Sequence, residues 1–264
     1  MSNIICSIII PVYNGSKFLE ETIQSCLSQT VLEKIEVIII DDCSTDDSYK
    51  IIEKFKDMDH IVILKNEHNL GLMKTNNKAA SLAQGKYLLF LGHDDLLEAN
   101  HIEVMIAEVD ENTALLHCNA NIIDENGKIF SRGVNDIMQS YRNYFFHYYI
   151  ATRNVVHSTG ALVNAKYFSM VNGWNEDYKN YGEWLLWAKL SSVGKVKYTT
   201  KVRALYRKHS TNITNTFTQK SVKKELFQYR LLCIQEAKKS IKNPLCLLAV
   251  NVTNFYKNTK EKKI

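Results

Sequence analysis

Two neighbouring aspartates, Asp94 and Asp95, stand where an apolar run stops. Tyr87 to Leu91 reads as a buried strand, Gly92 and His93 follow, and a second apolar pattern then runs toward Asn100. In an open parallel sheet, ligands collect at such strand ends. Adjacent carboxylates repel, and a hard divalent cation that prefers oxygen ligands, Mg²⁺ or Mn²⁺, offsets that charge. The simpler alternative is a solvated turn in which Asp94 or Asp95 caps the next helix. A second acid pair, Asp41-Asp42, ends the apolar run Ile35 to Ile40 and leads into Cys43-Ser44-Thr45-Asp46.

The stretches between these acids supply a scaffold. Ile4 to Ile10 is a β-branched run suited to a strand buried on both faces, ended by a turn at Pro11 to Gly15. Lys17 to Gln29 has helical spacing at Phe18, Ile23, Cys26 and Leu27. Ser44 or Thr45 is placed to cap a helix over Asp47 to Phe55. Ile61 to Leu64 is a third strand, and Asn69-Leu70-Gly71 turns into a helix around Thr75 to Leu82. This alternation predicts an α/β fold with a parallel sheet, right-handed crossovers and a ligand along the carboxyl edge. Further on, Asp124 to Gly127 is a hairpin turn between Leu115 to Ile123 and Lys128 to Phe130.

Composition limits the rest. With 264 residues, 45% of them apolar, the chain has room for one large α/β domain or a domain with an appendage. The net charge is +5, and Lys and Arg crowd the segment after Lys195, which suggests an anionic partner there. Six cysteines without CxxC or metal-finger spacing point to reduced thiols in a cytoplasmic protein. Neither a secretory leader nor an apolar run long enough to span a membrane is expected. Nucleic-acid binding is set aside, because no recognised module accompanies the basic residues. From Ser221 on, two helices separated at Asn243-Pro244 carry apolar faces among lysines. They either pack on the rest of the chain or lie on an anionic leaflet at the inner face of the plasma membrane.

Several stretches resemble, in order and spacing, the family 2 glycosyltransferases. They are Ser7 to Gly15 (SIIIPVYNG), Val37 to Ser48 (VIIIDDCSTDDS), Asn69 to Ala80 (NLGLMKTNNKAA) and Gly85 to Leu97 (GKYLLFLGHDDLL). The likeness continues through Gly160 to Val163, Gly173 to Glu176, Tyr181 to Trp187 and Tyr206 to His209, covering about Ile4 to Ile213. It implies inverting enzymes of the GT-A fold, with a mostly parallel, Rossmann-like central sheet flanked by helices and a helical C-terminal extension. Residues 1–220 would form the transferase domain, with 1–100 as the nucleotide-sugar half and 101–220 as the acceptor and catalytic half. Residues 221–264 would be a basic helical extension.

The resemblance also assigns roles. Pro11, Tyr13 and Asn14 would hold the nucleobase, Tyr13 being otherwise a packing aromatic. Asp42 would accept a hydrogen bond from the base edge, and Asn69 and Gly71 would form the loop beneath the nucleotide. Asp94 and Asp95 match the motif that positions ribose and metal, although Gly92 replaces a customary acid; His93 reads as a packing residue. Glu183, preceded by Gly182 where the family has an acid, occupies the position of the base, its alternative being a solvated helix-start glutamate. Arg207 would reach the diphosphate and His209 the metal. Asn76 replaces a common arginine, whose role Lys74 could take. The aromatic segment Tyr141 to Tyr149 suits either an acceptor-lining surface or a core patch. The implied reaction transfers a hexose or related sugar from a UDP-type donor to a glycan or polyprenyl-diphosphate-linked acceptor in surface-polysaccharide assembly. Because Gly92 and Gly182 depart from the pattern, a catalytically silent sugar-nucleotide-binding partner is the alternative.

Overall fold

A computed structural model describes residues 4–178, 182–212 and 220–261. Its first half alternates β1 (Cys6–Val12), α1 (Leu19–Leu27), β2 (Ile35–Asp41), α2 (Ser48–Glu53), β3 (Ile61–Lys65), α3 (Leu72–Ala80) and β4 (Tyr87–Phe90). Next come α4 (His101–Glu108), β5 (Thr113–His117), β6 (Ala120–Ile123), β7 (Ile129–Ser131), α5 (Asp136–Tyr144) and α6 (Phe146–Ile150). The chain continues with β8 (Leu162–Asn164), α7 (Ala165–Met170), α8 (Glu183–Val193), β9 (Lys195–Tyr198) and β10 (Ala204–Arg207). Two long helices, α9 (Lys220–Lys238) and α10 (Pro244–Glu261), follow. Tyr181 and Ile213, at the ends of two motifs, lie outside the described residues.

Seven strands form the main sheet in the order β3-β2-β1-β4-β8-β5-β9, and β10-β6-β7 form a smaller one. The main sheet is parallel except at β8, which runs against both β4 and β5. Period-two alternation along β1 builds a core on each face. Ile8, Ile10 and Val12 join Leu19 and Ile23 of α1 and Ile102 and Met105 of α4. Ile9 points the other way, with Ile38, Ile40, Met73 of α3 and Trp187 of α8. Each fully buried isoleucine contributes about 1.5–3 kcal/mol relative to exposure.

The structure departs from the sequence expectation at several joints. Pro11 lies inside β1 opposite Ile40 rather than in the turn. The carbonyl of Val12 accepts from Asp42 N, so Pro11 faces β4, whose pairing with β1 stops at Ile9. The missing N–H therefore leaves no gap in a ladder. Neither Ser44 nor Thr45 caps α2; both are tied to Asn14, and Asp46 receives Ser48 N instead. The single strand expected over Leu115 to Ile123 breaks at Cys118-Asn119 into β5 of one sheet and β6 of the other. There Asn119 Nδ2 reaches Asp136 Oδ1 at 2.6 Å and Tyr198 OH at 2.9 Å, a buried junction that an apolar residue could not make.

The C-terminal helices pack on the rest. Tyr229 and Cys233 of α9 are buried against Leu185 of α8, and α10 packs on α6. Among the described residues, no helix is long and apolar enough to cross a membrane.

Candidate functional site

β1, β2 and β4 deliver their last residues to one edge. Asn14, with φ 52°, bridges two of the loops there: its N–H donates to Ser44 Oγ at 3.0 Å and its Oδ1 accepts from Thr45 N at 2.8 Å. Tyr13 beside it is 47% exposed, so its ring faces the open edge rather than the core. Asp42 is buried and its carboxylate closes the base of the crevice: Oδ1 accepts from Asn66 Nδ2 and Leu70 N, each at 2.8 Å, and Oδ2 from Gly71 N at 2.9 Å. Gly71 starts α3 at φ 84°, ψ 159°, a region that side chains with a β-carbon avoid. Asn69 is exposed on the same loop.

The Asp94-Asp95 pair divides its work. Asp95 is buried and spends both oxygens on protein, Oδ2 accepting from Thr159 Oγ1 at 2.7 Å and Oδ1 from Arg207 N at 2.9 Å. Burial first, and the charge of Asp94 second, hold its carboxyl well above the usual range. Asp94 is only half-buried, and its Oδ2 lies 2.9 Å from His209 Nε2 and 3.2 Å from Asn212 Nδ2. The His209 ring packs on Phe18 with centroids 4.9 Å apart, and its Nδ1 is 2.8 Å from Thr211 Oγ1. A carboxylate oxygen and an imidazole nitrogen thus meet at one point. Among the described residues no third His, Cys, Asp or Glu joins them.

Arg207 is not at the surface. Its side chain is fully buried, with Nη2 on Glu21 Oε2 at 2.7 Å, Nε on Asp94 O at 2.9 Å and Nη1 on Asp124 O and Glu125 O. The guanidinium also lies over Phe18, 4.6 Å from the ring centroid. It braces α1, the acid pair and the β6–β7 turn together. His93 packs against Gly15, in keeping with a packing residue. Lys74 is exposed, whereas Asn76 is buried with Oδ1 unpartnered.

Glu183 opens α8 and is half-buried. Burial raises its carboxyl pKa, opposed by a hydrogen bond from the Ser158 side chain. Thr159, the next residue, is the one that holds Asp95. On the other side Gly182 abuts α3, where a β-carbon would stand 2.5 Å from Met73 Sδ, two residues beyond the Gly71 that caps Asp42. Short chains of contacts thus link Glu183 to Asp95 through Ser158-Thr159, and Gly182 to Asp42 through Met73 and Gly71. Reading the sequence alone misses Ser158, Thr159, Asn66 and Asn212; only the polar His157-Ser158-Thr159 before Gly160 and the Asn three residues after His209 hinted at them.

The glycosyl transferase family 2 model matches residues 7–169, more than half of the chain. The chain belongs to that family. Its main sheet, with helices on both faces, has the GT-A architecture. Chondroitin synthase of Pasteurella multocida (strain Pm70) is 29% identical over 219 residues, 81% of this chain and 22% of the relative. Chondroitin synthase of Escherichia coli is 30% identical over 198 residues, 74% of this chain and 28% of the relative. The chain thus spans about a quarter of the length of these curated relatives. Among solved structures, S. aureus TarS 1-349 in complex with UDP-GlcNAc superimposes with a TM-score of 0.69 at 21% identity, covering 87% of this chain and 67% of that one. At that identity the likeness concerns the fold.

Proposed function

We propose that this glycosyltransferase inverts configuration at the anomeric carbon, taking a sugar from a UDP-linked donor and giving it to a glycan or polyprenyl-diphosphate-linked glycan of a surface polysaccharide. The observation that carries the reading is Glu183, a half-buried carboxylate of raised pKa at the start of α8, bonded to the Ser158 that precedes the Thr159 holding Asp95. The UDP-GlcNAc complex of TarS and the chondroitin synthases support the choice of donor and acceptor class.

Asp42 accepts from the base edge through its Oδ2, which has one protein donor where Oδ1 has two. A nucleobase without an N–H at that point leaves this buried carboxylate oxygen with its bond from Gly71 N and forfeits the added one, which supplies selectivity. Tyr13, Asn14 and the Asn69–Gly71 loop flank the nucleotide. Glu183 removes the acceptor hydroxyl proton while that oxygen attacks the anomeric carbon and the bond to the diphosphate breaks, the bonding pair leaving with the diphosphate. Asp94 and His209, which meet at 2.9 Å, are the residues that would hold a divalent cation in this reading. When bound, such an ion neutralises charge on the leaving group. The site of action in this reading is the cytoplasmic face of the membrane.

Transfer from UDP-sugars in Glu183→Gln is expected to fall by about 10²–10⁴-fold with UDP affinity retained, while Glu176→Gln, whose carboxylate bonds Asn77, stays near wild type. Equal activity of Glu183→Gln and wild type would remove the base from the reading. UDP binding without any transfer by the wild-type chain would leave a silent binding partner.

A further inference from the structure

Helix α5 has its polarity reversed. Ile137, Tyr141 and Tyr144, at positions i, i+4 and i+7, are 81%, 54% and 82% exposed. Its buried residue is Gln139, whose Nε2 donates to Val155 O at 2.6 Å, and Asn143 turns a buried Oδ1 toward the interior beside His117. A surface helix in water places these the other way round. The tail repeats the pattern: Leu245, Leu248 and Val252, at i, i+3 and i+7 of α10, are 74%, 60% and 48% exposed. The opposite side of α10 is anchored, with Thr253 Oγ1 on Tyr148 OH at 3.0 Å and Asn254 Nδ2 on Ala151 O at 3.0 Å.

The two helices are joined through α6. Both helices pack on α6, and the end of α5 and the start of α10 border one groove of about 580 Å³, where Tyr144, Phe145 and Cys246 meet Lys239 and Lys242. Exposed apolar surface gathered in this way marks an interaction site. Charge selects its partner: from Lys238 to the C-terminus the chain carries seven lysines and one acid, Glu261. We propose that α5 and α10 together form a docking surface for an anionic lipid bilayer, their apolar side chains at the acyl boundary and the lysines among the headgroups. A second copy of the chain would set these lysines against one another. The proposal deepens the reading of a lipid-linked acceptor and rests on it only for the reason the surface exists, since docking is measured without donor or acceptor.

The test is sedimentation of the full chain with phosphatidylglycerol–phosphatidylcholine vesicles against pure phosphatidylcholine. Partition is expected to favour the anionic vesicles, to weaken with added salt, and to drop on the order of tenfold in both Tyr144→Glu and Leu248→Glu. UDP affinity measured on the same samples should be unchanged, which reports that the exposed-site variants are folded. No preference for anionic vesicles overturns the proposal, as does unchanged partition of Tyr144→Glu or a dimer that Leu248→Glu dissociates. Failure of the glycosyltransferase reading shows separately, as absence of UDP binding or transfer by the wild-type chain.

Discussion

Glu183 couples a buried carboxylate to a hydroxyl on the loop that also holds Asp95. A base accepts a proton only when ionised, so in the role proposed for Glu183 its raised pKa moves the acid limb of the rate profile upward, above the 4.5 of an ordinary glutamate. The turnover number should climb with pH beyond that point. In Ser158→Ala, which removes the opposing hydrogen bond, the limb should move higher still; stopped assays across pH at saturating donor read both. Arg207 makes a contrasting case. The motif Tyr-Arg-x-His suggested a diphosphate ligand, but the sequence does not reveal that Glu21, 186 positions away, waits to bury the guanidinium. Arg207→Ala leaves that carboxylate and several carbonyls without their donor, at a cost of about 3–5 kcal/mol. Urea unfolding should show this loss, whereas a ligand-binding role alone would raise the donor KM and leave the unfolding midpoint in place. Asp42 and Asp94 stand out in the sequence as carboxylates at the ends of apolar runs, whereas the three protein donors that Asp42 accepts from cannot be read there.

Strands β1 to β4 were legible from local pattern, as short apolar runs bounded by turns. The break between β5 and β6 was not, because apolar periodicity passes straight through Cys118 and Asn119; what stops the strand is a junction of Asp136, Tyr198 and Arg203 assembled from distant segments. The inverted polarity of α5 likewise escapes a pattern reading, since periodicity gives a face but not which way it points. The start of α8 depends on a partner from the tail. Leu185 N, in its first turn, donates to Tyr229 OH of α9 at 3.0 Å within a buried contact. Tyr229→Phe keeps the ring and removes the acceptor, leaving a buried N–H unsatisfied at about 1–3 kcal/mol. A lower melting temperature with unaltered vesicle binding is the expected result, read by calorimetry and sedimentation on one preparation.

Across the molecule, buried histidines bear on acid tolerance. His101 and His117 are fully buried, and burial lowers each from 6.5 to about 4. The unfolded chain therefore binds more protons between those values, so stability is complete above pH 6.5 and is lost as pH falls toward 4. Each residue accounts for about 3 kcal/mol over that interval. Urea midpoints measured from pH 7 to pH 4 should fall steadily, and His117→Gln should flatten part of the slope. The bond between α8 and α9 carries one further implication, for how the chain is born. During translation the ribosome makes Glu183 well before Tyr229, so the start of α8 takes its final form only after α9 has emerged. A product cut short by a premature stop codon ahead of α9 would carry the sequence motifs up to Arg207 and still lack the partner that settles this helix.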